Sequence, residues 1–327
     1  MIQKTIFKEI TKKLTPHQRL ADVVSSVLKK STDSSYRRIR GETELTLSEA
    51  FKLCSYFNIS FDSIVKNQRS SVIFRYNTVD FSHLNSYHRY IQEFTETVSA
   101  VSNNARGGEI YYTAEDVPLF HFLRFHELTF FKIYVWHNAV SSDKITFEQF
   151  MKGIRNKKQF FDDFNSLENS YCKTASREIW TDDTIYHILR LLDYYCDMGA
   201  FEEKETVGLL FRQLNEMTDR LKEWTESGKK EDKGDFKLYY SAVNPENNFV
   251  LLKNEENTAV AIRLYTVKSI VTSNPSFCEE TEKWIGNIMI NSTLLSETSA
   301  RERRMFFQNM KAKIDALQTK IDLDSRG

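Results

Sequence analysis

A chain of 327 residues with 45 basic and 45 acidic side chains, 41% hydrophobic and 13% aromatic content, 10 glycines and 4 prolines has the composition of a soluble globular protein. Collagen, low-complexity disorder and a basic tail along the whole chain are excluded, and at about 100–200 residues per domain the length suggests two domains. Cys54, Cys172, Cys196 and Cys278 lie far apart with no C-x-x-C pair, which indicates neither a zinc knuckle nor a disulfide framework and fits a reducing cytoplasm. The first residues offer no apolar signal region. The most apolar window, 119–136, is interrupted by Arg124, Glu127 and Lys132, so it reads as a buried element, and no membrane partner is expected.

The neutral total hides an asymmetry: over residues 1–66, twelve basic side chains against seven acidic ones give +5, leaving −5 on the remainder. The head also carries closely spaced helix signals. Ile6, Ile10 and Leu14 share a face of a first helix over 5–14. Thr15-Pro16 reads as cap and first position of a second, with Leu20, Val23, Val24, Val27 and Leu28 on its apolar face. Thr32 caps a third over 33–40, closed by Gly41. Thr46-Leu47-Ser48-Glu49 matches a capping box and opens a fourth with Leu47, Ala50, Phe51, Cys54 and Phe57 inward, and Ser60 caps a last turn carrying Phe61, Ile64 and Val65.

Five short helices with a tight turn between the second and third form a helix-turn-helix layout. The segments Leu20-Ala21-Asp22, Ser34-Ser35-Tyr36-Arg37-Arg38-Ile39-Arg40-Gly41-Glu42, Leu45-Thr46-Leu47-Ser48-Glu49 and Phe57-Asn58-Ile59-Ser60-Phe61-Asp62 resemble the lambda repressor-like (Cro/CI, XRE-type) DNA-binding domain, and more narrowly the BetR-type version of bacterial regulators. The resemblance covers about residues 14–66; the stretch from Leu20 to Tyr36 is a few residues longer than the commonest pattern. It implies a recognition helix in the major groove. Within it, Tyr36 and Ile39 can point to the core. Asp33, Ser34 and Arg37, in the N-terminal half, are the candidates for base edges, and Lys29, Lys30, Arg38 and Arg40 those for phosphates.

Beyond a polar linker at 66–71 the body is read as strands at 72–76 and 109–113, a helix over 84–102, an aromatic helix from Pro118 to about Asn138, a shorter one capped by Thr146, one opened by Thr181 and ended by Gly199, and a long one over 203–227. Runs at 236–243, 249–252 and 259–267 read as an antiparallel set. Two helices finish the chain. The last carries Phe307, Met310, Ile314, Leu317 and Ile321 at heptad spacing, which suits either dimerisation or packing within the chain.

The expected fold is therefore mainly α with a smaller β component: an all-α helix-turn-helix domain over 1–66, then a larger, helix-rich α+β region over 67–327 with a small antiparallel sheet. No catalytic or metal constellation is found. His83/His88 and His121/His126 are five apart and diverge on a helix, Asp162/Asp163 and Asp182/Asp183 read as solvated or capping residues, and no P-loop, G-x-G-x-x-G or G-x-S-x-G occurs. The aromatic residues of 120–136 suit core packing or a small-molecule pocket. The expected function is a cytoplasmic, sequence-specific transcriptional regulator, not an enzyme and without a cofactor. Its partners would be double-stranded DNA, a second copy of the chain and an effector of unassigned chemistry. The alternatives are a protein-interaction module or a divergent enzyme with a DNA-binding head.

Overall fold

The computed structural model describes residues 2–15, 17–59, 64, 71–76, 84–102, 107–141, 145–155, 158–231, 233–264 and 268–324. The chain divides into two compact units, Met1–Ile73 and Phe74–Gly327.

The head contains α1 (Ile2–Thr11), α2 (Leu20–Leu28), α3 (Thr32–Arg40) and α4 (Leu47–Tyr56). Its core gathers Ile6, Phe7, Ile10, Val24, Leu28, Ala50, Leu53, Cys54 and Ile64, so the apolar spacing of α1, α2 and α4 is what closes it. Several boundaries differ from the sequence reading. α1 lies about three residues earlier than expected, α2 starts at Leu20 behind an Arg19 that makes no side-chain cap bond, and α3 is capped by Ser31, whose Oγ accepts from the Ser34 N–H. Gly41 closes α3 at φ 83°, and Thr46 and Glu49 form the reciprocal capping box of α4. Pro16 and residues 60–63 and 65, including the expected cap at Ser60, lie outside the described residues.

In the body the expectation of a small antiparallel sheet is overturned. Eight strands form one mixed sheet: β1 (Arg75–Tyr76), β2 (Glu109–Ala114), β3 (Ala175–Trp180), β4 (Phe236–Tyr240), β5 (Phe249–Lys253), β6 (Thr258–Arg263), β7 (Ser269–Thr272) and β8 (Thr293–Leu294). Their order is β1-β7-β6-β5-β2-β3-β4-β8, and the central β2, β3 and β4 run parallel. Parallel neighbours need long crossovers, and helices supply them. A 3-10 turn at Leu119–His121, α6 (His126–Val140), α7 (Phe147–Arg155) and α8 (Lys158–Lys173) connect β2 to β3, and α9 (Tyr186–Asp197) and α10 (Lys204–Ser227) connect β3 to β4. With α5 (Leu84–Ser102), α11 (Pro275–Ile290) and α12 (Ala300–Asp324), twelve helices are described in the chain.

Alternation along the strands sorts the helices onto two faces. Ile110, Tyr112, Trp180, Phe236, Leu238 and Leu252 turn toward the main core with residues of α5 to α10 and α12, whereas Tyr111, Ile179, Leu251 and Val260 meet Cys278 and Ile285 of α11. The heptad residues Phe307, Met310 and Ile314 of α12 are buried in the main core of the same chain, and Lys311 and Lys320 pair with Asp219 of α10 and Asp193 of α9. Of the two roles open to that seam, packing within the chain is the one observed.

Candidate nucleic-acid interface

The exposed face of α3 follows from its capping and its single buried side. Ser35 is fully buried and Ile39 half-buried against the core, which turns Asp33, Tyr36, Arg37 and Arg40 outward in one stripe at i, i+3, i+4 and i+7. Tyr36, expected in the core, is 47% exposed. The α3 register that buries Ser35 leaves no room to bury Tyr36 as well. Arg37 and Arg40 share Glu42 through Nε to carboxylate distances of 3.9 and 3.2 Å, and all three side chains are about half exposed. Exposed pairs of this kind are worth little, so both guanidiniums are available to a stronger anion.

Lys29 and Lys30 stand exposed in the turn between α2 and α3. Lys29 takes the left-handed conformation at φ 53° that ends α2, and the Ser25 hydroxyl donates to the Lys30 carbonyl. The turn thus places two exposed lysines directly before α3.

Arg38 is placed differently. Its guanidinium grips Glu49 of α4 bidentately at 3.2 and 3.0 Å, and its Nη1 donates to Ser34 Oγ at 2.6 Å. Its side chain is 12% exposed. Burial pushes the Glu49 carboxyl up, but the Arg38 hydrogen bond and charge and the Thr46 N–H outweigh it and hold the acid below its usual range. Arg38 and Ser34, one candidate for phosphate and one for a base edge, are therefore committed within the head, where they tie α3 to the capping box of α4. Arg38→Ala is expected to lower head stability by about 1–3 kcal/mol, because it strands a largely buried carboxylate. Hydrogen exchange of the α3 amides in the full chain measures this, and Arg38→Lys should recover only part of the loss because an ammonium cannot reproduce the two-point grip.

Two further expectations on α4 are corrected. Leu47 and Phe51 point to solvent at 75% and 66% exposure, while Ala50, Leu53 and Cys54 form the buried face. The apolar stripe of α4 is narrower than its composition suggests.

The body's titratable groups sort into internal networks. His121 Nε2 lies 2.9 Å from Glu178 Oε2, both nearly fully buried, and the His126 ring packs on Phe161. Asp163, expected to be solvated, pairs with His88, and Asp182 accepts from Tyr240 and Asn309. His83 lies outside the described residues. Glu168, Cys172 and Glu231 converge within 4.8 Å, a donor set a metal ion could use, yet the Arg220 guanidinium bonds both carboxylates. Burial holds the Cys172 thiol at about 11, so the position already has its cation and lacks a thiolate. All four cysteines are free thiols.

No protein-family model, no curated protein and no solved structure matches the chain.

Proposed function

We propose that the chain is a DNA-binding transcriptional regulator of the cytoplasm whose helix α3 enters the major groove. The observation that carries this reading is the outward stripe of α3, with Arg37 and Arg40 held only by one exposed carboxylate and with Lys29 and Lys30 at its leading end. Arg37 has the fork that fits the O6 and N7 edge of guanine, and Asp33 can accept from a cytosine amine. Tyr36 replaces Ser34 as the third side chain facing the bases, since the Ser34 hydroxyl is held by Arg38. Lys29, Lys30 and Arg40 serve phosphates, and Arg38 holds the helix that presents them. The four free cysteines suit a reducing compartment, and no helix among the described residues is long and apolar enough to cross a membrane.

A second copy of the chain would place two such stripes on half-sites about one DNA turn apart. On a duplex selected for tight binding, Arg37→Ala is expected to lose about 1–3 kcal/mol of affinity and to relax the preference at one base pair. Arg40→Ala should weaken all sequences alike and reduce the salt slope by about one. Mobility-shift titration of both variants over a salt series reads the difference. Equal, sequence-independent losses from both would contradict the assignment of Arg37.

The exposed Leu47 and Phe51 of α4 favour a second reading, in which the head docks a protein. In that case Leu47→Ala and Phe51→Ala abolish function while Arg37→Ala leaves it intact.

A further inference from the structure

The sheet face beneath α5 is hollow at one place, and the strand register explains why. Tyr112 pairs with Val250, Val250 with Ala261, Ala261 with Val271 and Val271 with Arg75, so these five residues form one row across β2, β5, β6, β7 and β1. The parallel row alongside ends in Leu252 and Ala259. On β6 this face therefore offers only the methyl groups of Ala259 and Ala261 before Arg263, while Val260 and Ile262 turn to the other side. Two alanines where a strand usually carries large side chains leave a cavity of about 770 Å³, within the range of small-molecule sites. Phe94, Phe120 and Trp136 supply an aromatic wall.

The polar groups converge on one end. Asp116 Oδ2 takes Lys132 Nζ at 2.6 Å and Arg263 Nη1 at 2.7 Å. Burial pushes the Asp116 carboxyl up, but the two cations outweigh it and keep it ionised far below neutral pH. Two cations share this one carboxylate, and the more exposed Glu115, which is not among the lining residues, reaches Arg263 Nη2 only at 3.9 Å. His187, 4.0 Å from Asp116 Oδ2, adds no positive charge near neutral pH, because burial has lowered its pKa to about 4. Asn248 is 2% exposed, and its Oδ1 accepts from the Glu115 N–H at 3.0 Å. Asn248 is among the residues that line the cavity, and its Nδ2 is buried with no hydrogen-bond partner. A buried amide donor without an acceptor is costly unless something supplies one. Arg75, Arg89 and Glu93 also line the cavity, so the lining carries four cations against two acids.

We propose that this cavity binds a small organic anion, its acid group accepting from the Asn248 amide beside Arg263 and Lys132 and its apolar body lying against Trp136 and Phe94. The inference concerns the body alone and stands whether or not the head binds DNA. Nothing in the cavity calls for chemistry on the ligand: it is a binding site built from an orphan donor, surplus positive charge and an aromatic wall.

The test is calorimetric titration of the full chain with naphthalene-1-acetate and with its neutral counterpart naphthalene-1-acetamide. The acetate is expected to bind once per chain and at least about tenfold more tightly than the amide. Ala261→Trp fills the hollow and should abolish binding of both. Asn248→Asp keeps the acceptor for the Glu115 N–H but replaces the donor with a charge, and should cost the acetate at least about tenfold while sparing the amide. Urea unfolding of each variant with an unchanged midpoint shows that the fold is intact, and Arg89→Gln, on the exposed side of α5, serves if either fails to fold; it should narrow the acetate-to-amide ratio. No acetate binding at millimolar concentration, equal affinity for the two probes, or undiminished binding to folded Ala261→Trp would overturn the proposal.

Discussion

Glu178→Ala is expected to lower the unfolding free energy of the body by about 3–5 kcal/mol, the range for removing one partner of a buried charged network. Glu178 sits in the middle of β3 with 1% of its side chain exposed. Its Oε2 takes His121 Nε2 at 2.9 Å and the Trp180 indole N–H at 2.8 Å, and its Oε1 takes the Tyr171 hydroxyl. The carboxylate joins the 3-10 turn after β2, the end of α8 and β3 itself. Burial pushes its pKa up, but His121 and the three hydrogen bonds outweigh it and keep the acid below its usual range. Alanine leaves the indole and phenol donors buried without an acceptor and adds a cavity. Glu178→Gln keeps an acceptor of the same shape and should recover more than half of the loss. Urea denaturation of the three proteins measures this, and an alanine variant within about 1 kcal/mol of the parent would show that the network contributes little.

The contribution of one buried lysine to stability should rise with pH above neutrality. Lys230 is fully buried; its Nζ donates to the Thr174 carbonyl and to Ser176 Oγ and lies 3.8 Å from the centre of the Tyr171 ring. Burial lowers its pKa to about 7, with the Glu178 charge opposing that shift. In the unfolded chain the same amine titrates near 10.4. Between those values the unfolded state holds a proton that the native state has released, so the contribution of Lys230 to stability climbs by up to about 1.4 kcal/mol per pH unit. Below pH 7 both states are protonated and the full penalty of a buried ammonium is present. Lys230→Met removes the titrating group, so the stability gap between parent and variant should shift in the parent's favour from about pH 7 to about pH 10. Urea denaturation across that window checks it; parallel profiles would mean that Lys230 does not titrate there.

The head was legible in its local chemistry. Ile6 and Ile10 bury as their spacing predicts, and Thr46 with Glu49 and Gly41 with its left-handed backbone mark real helix ends. What local pattern misjudged was direction: Tyr36, Leu47 and Phe51 are apolar enough to belong inside, yet the buried side of α3 is Ser35 and that of α4 is Ala50, Leu53 and Cys54. The pairing of Arg38 with Glu49 spans eleven positions and is invisible to any helical repeat.

The body was read less well, for reasons of sequence distance and polarity. β3 escaped because Ser176, Arg177 and Glu178 break the apolar run of a central strand, and Glu178 is polar there because it anchors the buried network. α8, over Lys158–Lys173, is not seen in the sequence pattern, although Phe160, Phe164, Leu167 and Tyr171 form its buried face. Without β3 the parallel centre cannot be seen, and the sheet reads as the antiparallel hairpins that remain. The cavity was out of reach for the same reason. Asp116 follows β2, Lys132 lies on α6, Asn248 precedes β5 and Arg263 ends β6, and only the tertiary fold brings the four together.

The claim that α3 reads DNA is tested most directly by selecting binders of the full-length protein from a random duplex library and titrating the winner with salt against scrambled DNA. The account predicts a recovered inverted repeat with half-sites about one turn apart, a steep loss of affinity with salt, and relaxed sequence preference on Arg37→Ala. A library that yields no motif, with binding to the winner equal to that of scrambled DNA at every salt concentration, would contradict it and leave the exposed Leu47 and Phe51 as the working surface of the head.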